Sequence, residues 1–258
     1  GVQTCALPIS TPGFLAPSAL YEQFLPVFLA PIRAWSSAEF AGLPLLGDPQ
    51  NTTWYLPHLL FARLLHSWSG YVVSAYVVAG LGAGAYAWQL TKSRVAALAA
   101  GLAWPWSEAL ADMFPHLAML HGFAWLPWVL FGVERLAETR SRFWIGATAF
   151  WFTCLGLSGH PQVSIYCAYV IAAYMATMWW SGGRQRDVLV AFAGALALGV
   201  GLSAIQVVPT LEVSTWIARD QVGFNQFADS FAKKPHELLT VLVPQFCHER
   251  REAPSYAG

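Results

Sequence analysis

The longest uncharged stretch of the chain constrains the fold most. No Asp, Glu, Lys or Arg occurs between Arg142 and Arg184, and most residues of this stretch are apolar. A transmembrane helix needs about 20 mostly apolar residues, so the stretch is too long for a single helix. Gly159-His160-Pro161 lies near its middle, and proline both lacks an amide hydrogen and biases the preceding residue away from the helix. The sequence therefore predicts a hairpin of two membrane-spanning helices.

The composition of the whole chain also favours a membrane protein. Only 11% of the 258 residues are charged and 56% are hydrophobic, whereas soluble domains carry about 25% charged residues. The net charge is zero, so the chain lacks the basic surplus that would favour nucleic acid as a partner. We therefore predict an all-α integral membrane protein, a polytopic helical bundle in a lipid bilayer, with no nucleic-acid partner.

Six segments are long and apolar enough, or nearly so, to cross a membrane as helices. They are residues 71–91, 95–113, 117–134, 143–159, 162–181 and 188–210. Pro105, Pro127 and Pro209 fall inside these segments and predict kinks or breaks. Around the bundle of residues 71–210 we expect an outer loop with interfacial helices over 11–70 and a truncated outer-face tail over 211–258.

The ends of the chain and its cysteines carry little functional information. Residues 1–10 resemble a translated sequencing adapter, so we expect an artefact there and a fragment of a longer protein. The cysteines show neither CxxC spacing nor the framework of a small disulfide domain, so they predict no metal or disulfide scaffold. They are Cys5, Cys154, Cys167 and Cys247.

The distribution of basic residues predicts which helix ends face the cytoplasm. The loops at 92–94, 135–142 and 184–186 hold seven of the fourteen Lys and Arg residues, whereas the alternate loops at 113–116 and 159–162 hold none. By the positive-inside rule the basic loops are cytoplasmic. The loop around Asp48, the two uncharged loops and everything after about residue 210 then lie on the outer face.

Polar and ionisable residues gather on that predicted outer face. Ionisable groups in or beside membrane spans tend to face a bundle interior or a water-filled cavity, so this gathering indicates a functional site. The set comprises Asp48, Gln50, Asp112, His116, His160, Gln162, Gln206 and Glu212, followed by the tail residues Arg219, Asp220, Asp229, Lys233, Lys234, His236 and Glu237.

Each candidate also has an ordinary structural explanation. Asp48 precedes Pro49, and Asp-Pro commonly starts a turn. His116 and His160 can satisfy the backbone groups of helix ends. Gln206, inside an apolar segment, more often hydrogen-bonds a neighbouring helix than a ligand.

Familiar catalytic motifs are absent from the sequence. It contains no nucleophile elbow, zinc-binding helix or phosphate-binding loop. The glycine-rich run 79-AGLGAGA-85 lies inside an apolar segment, so it predicts close helix packing. His121 has no second ligand at convincing spacing, which disfavours a bis-histidine haem site.

An ordered set of motifs resembles a known family. The motifs are PLLGDPQ-x4-YLP (44–57), GLGAGAYAWQLTKSRVAALAAGLAW (80–104), H-x7-AWLPWVL-x3-ER (116–135), LSGHPQVSIY (157–166), SAIQVVPTLE (203–212) and FADSFAKKPHELLTVLVPQF (227–246). Over residues 35–246 the chain resembles the YfhO-type bacterial multispanning membrane proteins, which are similar to glycosyltransferases of the GT-C fold.

The resemblance implies sugar transfer on the outer face of the bacterial cytoplasmic membrane. The donor would be a polyprenyl-phosphate-linked sugar and the acceptor a cell-envelope glycopolymer. GT-C enzymes commonly use an acidic residue of the first long outer loop as catalytic base or metal ligand, and Asp48 matches that position. No cofactor is certain, and a divalent metal is left open.

The remaining site predictions come from the shared outer face. His116 and His160 join Asp48 as predicted catalytic residues, because an imidazole or a basic side chain can stabilise a leaving phosphate. The predicted substrate-binding residues are Gln162, Glu212, Arg219, Lys233 and Lys234.

Two other classes of protein remain open. A transporter or flippase of lipid-linked substrates would need polar residues through the bundle centre, where only Gln206 and His121 interrupt the apolar segments. A non-catalytic membrane scaffold would use Asp48 and His160 only to cap helices. Proximity of Asp48, His116 and His160 around one cavity would favour catalysis.

Overall fold

The computed structural model is helical and contains no strand over the residues that the structure describes, which are 25–29, 32, 35, 42, 44–111, 113–139, 141–180 and 185–215. The chain divides into two units, residues 1–214 and 215–258, and every helix below lies in the first. The helices are α1 Leu25–Leu29, α2 Leu56–Leu59, α3 Trp68–Thr91, α4 Arg94–Ala103, α5 Glu108–Ala111, α6 Leu117–Thr139, α7 Arg142–Leu157, α8 Pro161–Trp180 and α9 Gln185–Ser214. Two 3₁₀ turns, Leu45–Gly47 and Pro49–Asn51, and a π-helical turn, Leu60–Leu64, precede α3.

Four helices of the described residues are long and apolar enough to cross a membrane. They are α3, α6, α8 and α9. The other two segments predicted to span are shorter: α7 has 16 residues and α4 has 10, lengths of about 24 and 15 Å at 1.5 Å per residue. Large apolar side chains of α4 and α8, such as Leu98 and Tyr169, are exposed, as lipid-facing side chains would be. Over the described residues a helical protein of membrane-spanning character is confirmed, and the number of spans stays a prediction.

The three prolines inside the predicted spans behave differently. The helix before Pro105 ends at Ala103, and the chain turns before α5 begins. Pro127 and Pro209 lie inside α6 and α9, which continue through them. An interruption is therefore confirmed only at Pro105. Membrane helices tolerate proline where neighbouring groups satisfy the freed carbonyl.

Local capping explains where several helices begin. Ser67, Ser93 and Ser141 precede α3, α4 and α7, and each hydroxyl accepts a hydrogen bond from an amide of the first turn. A serine hydroxyl at this position satisfies a donor that the helix itself leaves unpaired. Pro161 begins α8, where a missing amide hydrogen has no cost.

Helix α6 forms the centre of the bundle. About two thirds of its apolar window (67%) is buried, against 22% for α8 and α9. It packs along α3 and α7, while α4 packs on α3 and α9 on α7. Glycines permit the closest approach: a Cβ at Gly80 of α3 would lie 2.7 Å from the carbonyl oxygen of Gly101 in α4. The close packing predicted for the glycine-rich run is confirmed.

The end of the bundle where α3 and α6 terminate carries the basic residues. Arg135 donates a 2.9 Å hydrogen bond to Glu138 and lies 4.8 Å from the ring centre of Trp144. Gln89 Oε1 accepts from Lys92 Nζ at 3.1 Å and from Arg135 at 3.4 Å. Polar contacts therefore join α3, α6 and the start of α7 at this end. That this end is cytoplasmic remains a prediction.

Candidate functional site

Segments far apart in sequence meet at the opposite end, where α6 and α8 begin. We call residues 44–55 the Asp48 loop. A Cβ at Gly159 would lie 2.8 Å from the Pro49 carbonyl oxygen, 2.7 Å from Thr52 Cγ2 and 3.4 Å from the Ala118 Cβ. Gly159 has a φ of +101°, which only glycine adopts readily. The turn before α8 therefore contacts the Asp48 loop and the start of α6.

Helix α9 holds the other side of the Asp48 loop. Gln206 Nε2 donates hydrogen bonds of 2.9 Å to the Leu46 carbonyl and 3.1 Å to Thr210 Oγ1. Gly47 packs so tightly on Val213 that a side chain there would clash. Gln206 therefore bonds another segment of the protein, the 3₁₀ turn Leu45–Gly47, in line with the structural explanation that its place in an apolar segment favoured.

Asp48 lies half-buried at the start of the second 3₁₀ turn. Its Oδ1 accepts a 2.9 Å hydrogen bond from the Gln50 amide, so it caps the turn that Pro49 begins. The ordinary structural role of an Asp-Pro pair is thus observed. An ionised carboxylate has about four acceptor positions, so capping leaves the group capable of accepting a proton from a substrate.

His116 and His160 occupy equivalent positions at the starts of α6 and α8. The His116 carbonyl accepts from the amides of Met119 and Leu120 at 2.9 and 3.0 Å. The His160 carbonyl accepts from the Val163 amide at 3.0 Å. Both residues therefore lie at the N-terminus of a long helix, where the backbone dipole favours negative charge.

The His160 imidazole lacks a protein partner at one nitrogen. Its Nδ1 is buried and makes no hydrogen bond within the described residues. Burial, and then the nearby His116, lower the pKa of His160 below its ordinary value. His160 is therefore mainly neutral near pH 7 and can offer one N–H donor and one acceptor.

The predicted substrate-binding residues are only partly placed. Gln162 is exposed in the first turn of α8, and its Nε2 donates to the Tyr166 hydroxyl. Glu212 is exposed in the last turn of α9, not beyond the helix as expected, because α9 continues to Ser214. The predicted substrate-binding residues Arg219, Lys233 and Lys234 lie outside the described part of the chain. So do the other outer-face residues Asp112, Asp220, Asp229, His236 and Glu237.

A buried polar cluster that includes the C-terminal end of the Asp48 loop was not predicted. We call it the anchoring cluster. Its described members are Thr52, Tyr55, His58, Tyr71, His121 and Trp125, all largely buried. Residues as far apart in sequence as Tyr55 and His121 meet there. Hydropathy periodicity identifies a polar residue in an apolar helix but not the residue that it contacts. The sequence therefore singled out His121 but did not predict its contacts with the other members.

Hydrogen bonds connect the Asp48 loop to α2 and α6 through this cluster. The Tyr55 hydroxyl lies 3.0 Å from His121 Nδ1 and accepts a 2.8 Å bond from Trp125 Nε1. His58 Nδ1 lies 2.6 Å from Thr52 Oγ1 and 3.0 Å from its carbonyl oxygen. The Tyr71 ring stacks on His121, with ring centres 4.4 Å apart.

Burial sets the charge state of the cluster residues outside the spanning helices. Burial lowers the pKa of His58 to about 4, although its bond to the Thr52 backbone opposes the shift. Burial likewise raises the pKa of the Tyr55 phenol well above its ordinary value. Both side chains are neutral at physiological pH, as a buried cluster without a counter-ion requires.

Metal-ligating side chains do not converge in the described part of the chain. No group of three His, Cys, Asp or Glu side chains there could hold a metal ion.

The fold and the site define a helical protein of membrane-spanning character with a polar, loop-covered end. Comparisons with protein-family models, curated proteins and solved structures found no match. The resemblance to YfhO-type proteins therefore remains a prediction from the sequence motifs.

Proposed function

We propose that this chain is part of a membrane glycosyltransferase. It would transfer a sugar from a polyprenyl-phosphate donor to a cell-envelope glycopolymer on the outer face of the bacterial cytoplasmic membrane. The observation that supports this most is the contact between the Asp48 loop and the turn of His160, beside the N-termini of α6 and α8. A carboxylate and two anion-attracting helix ends are thereby gathered at one end of an apolar bundle.

The proposed reaction needs both a carboxylate and groups that attract an anion. The acceptor oxygen bonds to the anomeric carbon of the sugar while the bond from that carbon to the phosphate oxygen breaks. The acceptor hydroxyl is a weak nucleophile, and a carboxylate within hydrogen-bond reach can take its proton. We assign this role to Asp48. The electron pair of the broken bond stays on the polyprenyl phosphate, which gains negative charge.

We assign stabilisation of the departing phosphate to the N-termini of α6 and α8. The N-termini of α6 and α8 attract anions through their partial positive charge. His116 and His160 stand at these termini and can donate N–H groups to phosphate oxygens. Because the lowered pKa keeps His160 mainly neutral near pH 7, it acts as a hydrogen-bond donor and not as a full positive charge.

Replacing Asp48 by asparagine separates catalysis from turn formation. Asparagine is as good a helix cap as aspartate, so Asp48→Asn keeps the bond to the Gln50 amide and removes only the negative charge. We expect transfer from a polyprenyl-phosphate sugar in membranes of the full-length protein to fall by about 100-fold or more, the usual contribution of a general base.

The control for this experiment is Asp187→Asn, in the first turn of α9, far along the helix from the end that holds the Asp48 loop. Both variants are compared at equal membrane abundance. Transfer that is unchanged in Asp48→Asn would remove Asp48 from the mechanism.

A non-catalytic scaffold is the second candidate, and one observation favours it. Asp48 already has a structural partner in the Gln50 amide, and the loop around it is tightly held. Under this alternative Asp48→Asn changes nothing measurable, while Asp48→Ala destabilises the protein by about 1 kcal/mol through the lost cap. The pair of variants therefore separates the two functions.

A further inference from the structure

We propose that Tyr55 and His121 are positioning residues. The hydrogen bond between their side chains holds the Asp48 loop in the conformation that the proposed reaction requires. This inference rests on the proposed function, because the Asp48 loop carries the proposed catalytic base. The hydrogen bonds described for Tyr55 join it to His121 and Trp125. They act through the backbone of residues 52–55.

The loop adopts a backbone conformation that must be held. Thr52 has a φ of 48° and a ψ of 31°, in the left-handed region, which β-branched residues rarely adopt. Strained backbone of this kind persists only where its surroundings determine it, and it concentrates at functional sites. Gly159 packs against the Thr52 side chain. His58 Nδ1 lies within hydrogen-bond distance of both the hydroxyl and the carbonyl oxygen of Thr52.

Two hydrogen bonds meet at the Tyr55 hydroxyl. Trp125 Nε1 can only donate, so the Tyr55 oxygen accepts from it. The second bond, 3.0 Å long, joins the hydroxyl to His121 Nδ1, and the histidine tautomer sets its direction. Tyr55 is completely buried, so losing its hydroxyl would leave two buried partners unsatisfied.

These bonds join the loop to the central helix of the bundle. Tyr55 follows Thr52 by three residues, and its two partners lie on α6, 66 and 70 residues further along the chain. Gln206 of α9 holds the loop at Leu46, on the far side of Asp48. The loop that carries Asp48 is thus held on both sides of this residue, by α9 at Leu46 and by α6 at Tyr55. The hydrogen bonds from α6 are made to the Tyr55 hydroxyl.

An engineered disulfide reports the position of the loop without any substrate. A Cβ at Gly47 would lie 2.9 Å from the Val213 Cβ, so a small shift brings a pair of cysteines to the usual Cβ separation of about 3.8 Å. The reporter is Gly47→Cys with Val213→Cys in membranes of the full-length protein, in which Val213→Cys also removes the valine Cγ2 that a side chain at residue 47 would clash with. The measurement is the rate of disulfide formation under a mild oxidant, and Val213→Cys alone controls for pairing with native cysteines.

We expect Tyr55→Phe and His121→Leu to slow formation of the reporter disulfide by about tenfold, as loss of a buried hydrogen bond would. His121→Asn restores the rate, because its side-chain amide can accept from or donate to the Tyr55 hydroxyl near the position of Nδ1. Tyr169→Phe, an exposed tyrosine of α8, leaves the rate unchanged.

Unchanged rates in Tyr55→Phe and His121→Leu would overturn the proposal, as would an asparagine variant as slow as the leucine variant. All rates are taken at matched membrane abundance, and Tyr55→Phe, which removes one oxygen atom, decides the outcome if His121→Leu does not accumulate. The disulfide rate needs no sugar donor, so this result is independent of the Asp48→Asn assay. Either proposal can therefore fail alone.

Discussion

Protonation of His58, a residue of the anchoring cluster, is expected to affect the structure of the Asp48 loop. His58 is 4% exposed and bonds Thr52, the strained residue of the loop. Its neutral form fits the site, because Nδ1 can donate to the Thr52 carbonyl while the ring stacks on Phe28, with centres 5.7 Å apart. A charged imidazole there would lose its hydration without gaining a counter-ion.

The expected consequence is a loss of stability in acid. The pKa of His58 is about 4 in the folded protein and 6.5 when unperturbed, so the unfolded state binds more protons between these values. The contribution is complete above pH 6.5 and is lost as the pH falls through 4, up to about 3 kcal/mol. Thermal unfolding of the detergent-solubilised protein at pH 7.5 and 4.5 measures it.

The matched variants are His58→Asn and His66→Asn. The first should flatten the pH dependence of unfolding, whereas the second alters an exposed histidine of the next turn and should preserve it. Equal pH dependence in all three proteins would show that burial of His58 does not govern the acid response.

At the scale of helices, the starts were predictable, whereas the end of α4 and the packing partners were not. Serine caps and Pro161 place helix starts within a few residues of the apolar segments, because capping is a local property. The contact of Gly159 with Pro49 and the bond of Gln206 to Leu46 depend on how distant segments pack. The shared face of the candidate residues was predictable from alternating loop charge, whereas the anchoring cluster was not.

Helix contacts made through glycine predict a specific pattern of stability. Gly80→Ala places a methyl group 2.7 Å from a backbone carbonyl of α4, which cannot move without separating α3 and α4. We expect a loss of about 1–3 kcal/mol, typical of overpacking. The check is thermal or denaturant unfolding in detergent.

Gly146→Ala in α7 is the control, because a Cβ there meets nothing within 4 Å. It should be neutral or stabilising by up to about 1 kcal/mol through helix propensity. If Gly80→Ala proved as stable as Gly146→Ala, the close α3–α4 contact would be incorrect.

The helical bundle of the described residues within 25–214 has a polar group of contacts at each of its two ends. One end holds the contacts of Arg135, Lys92 and Gln89, and the other holds the Asp48 loop with the starts of α6 and α8. The positive-inside rule assigns the first end to the cytoplasm. Sugar transfer on the outer face depends on that assignment.

The sidedness can be measured with single cysteines and a membrane-impermeant maleimide. Gln162→Cys and Lys92→Cys replace exposed residues at the two ends. We expect the first to be labelled in intact cells and the second only after permeabilisation. The reverse pattern would place the Asp48 loop in the cytoplasm and contradict an outer-face reaction.

Turnover of a polyprenyl-phosphate-linked sugar by the purified full-length protein tests the central claim most directly. Our account predicts that the sugar is transferred to a cell-envelope acceptor while polyprenyl phosphate is released in equal amount, and that Asp48→Asn abolishes both. Donor that is bound or moved across a bilayer with its sugar still attached would contradict glycosyl transfer and identify a transporter instead.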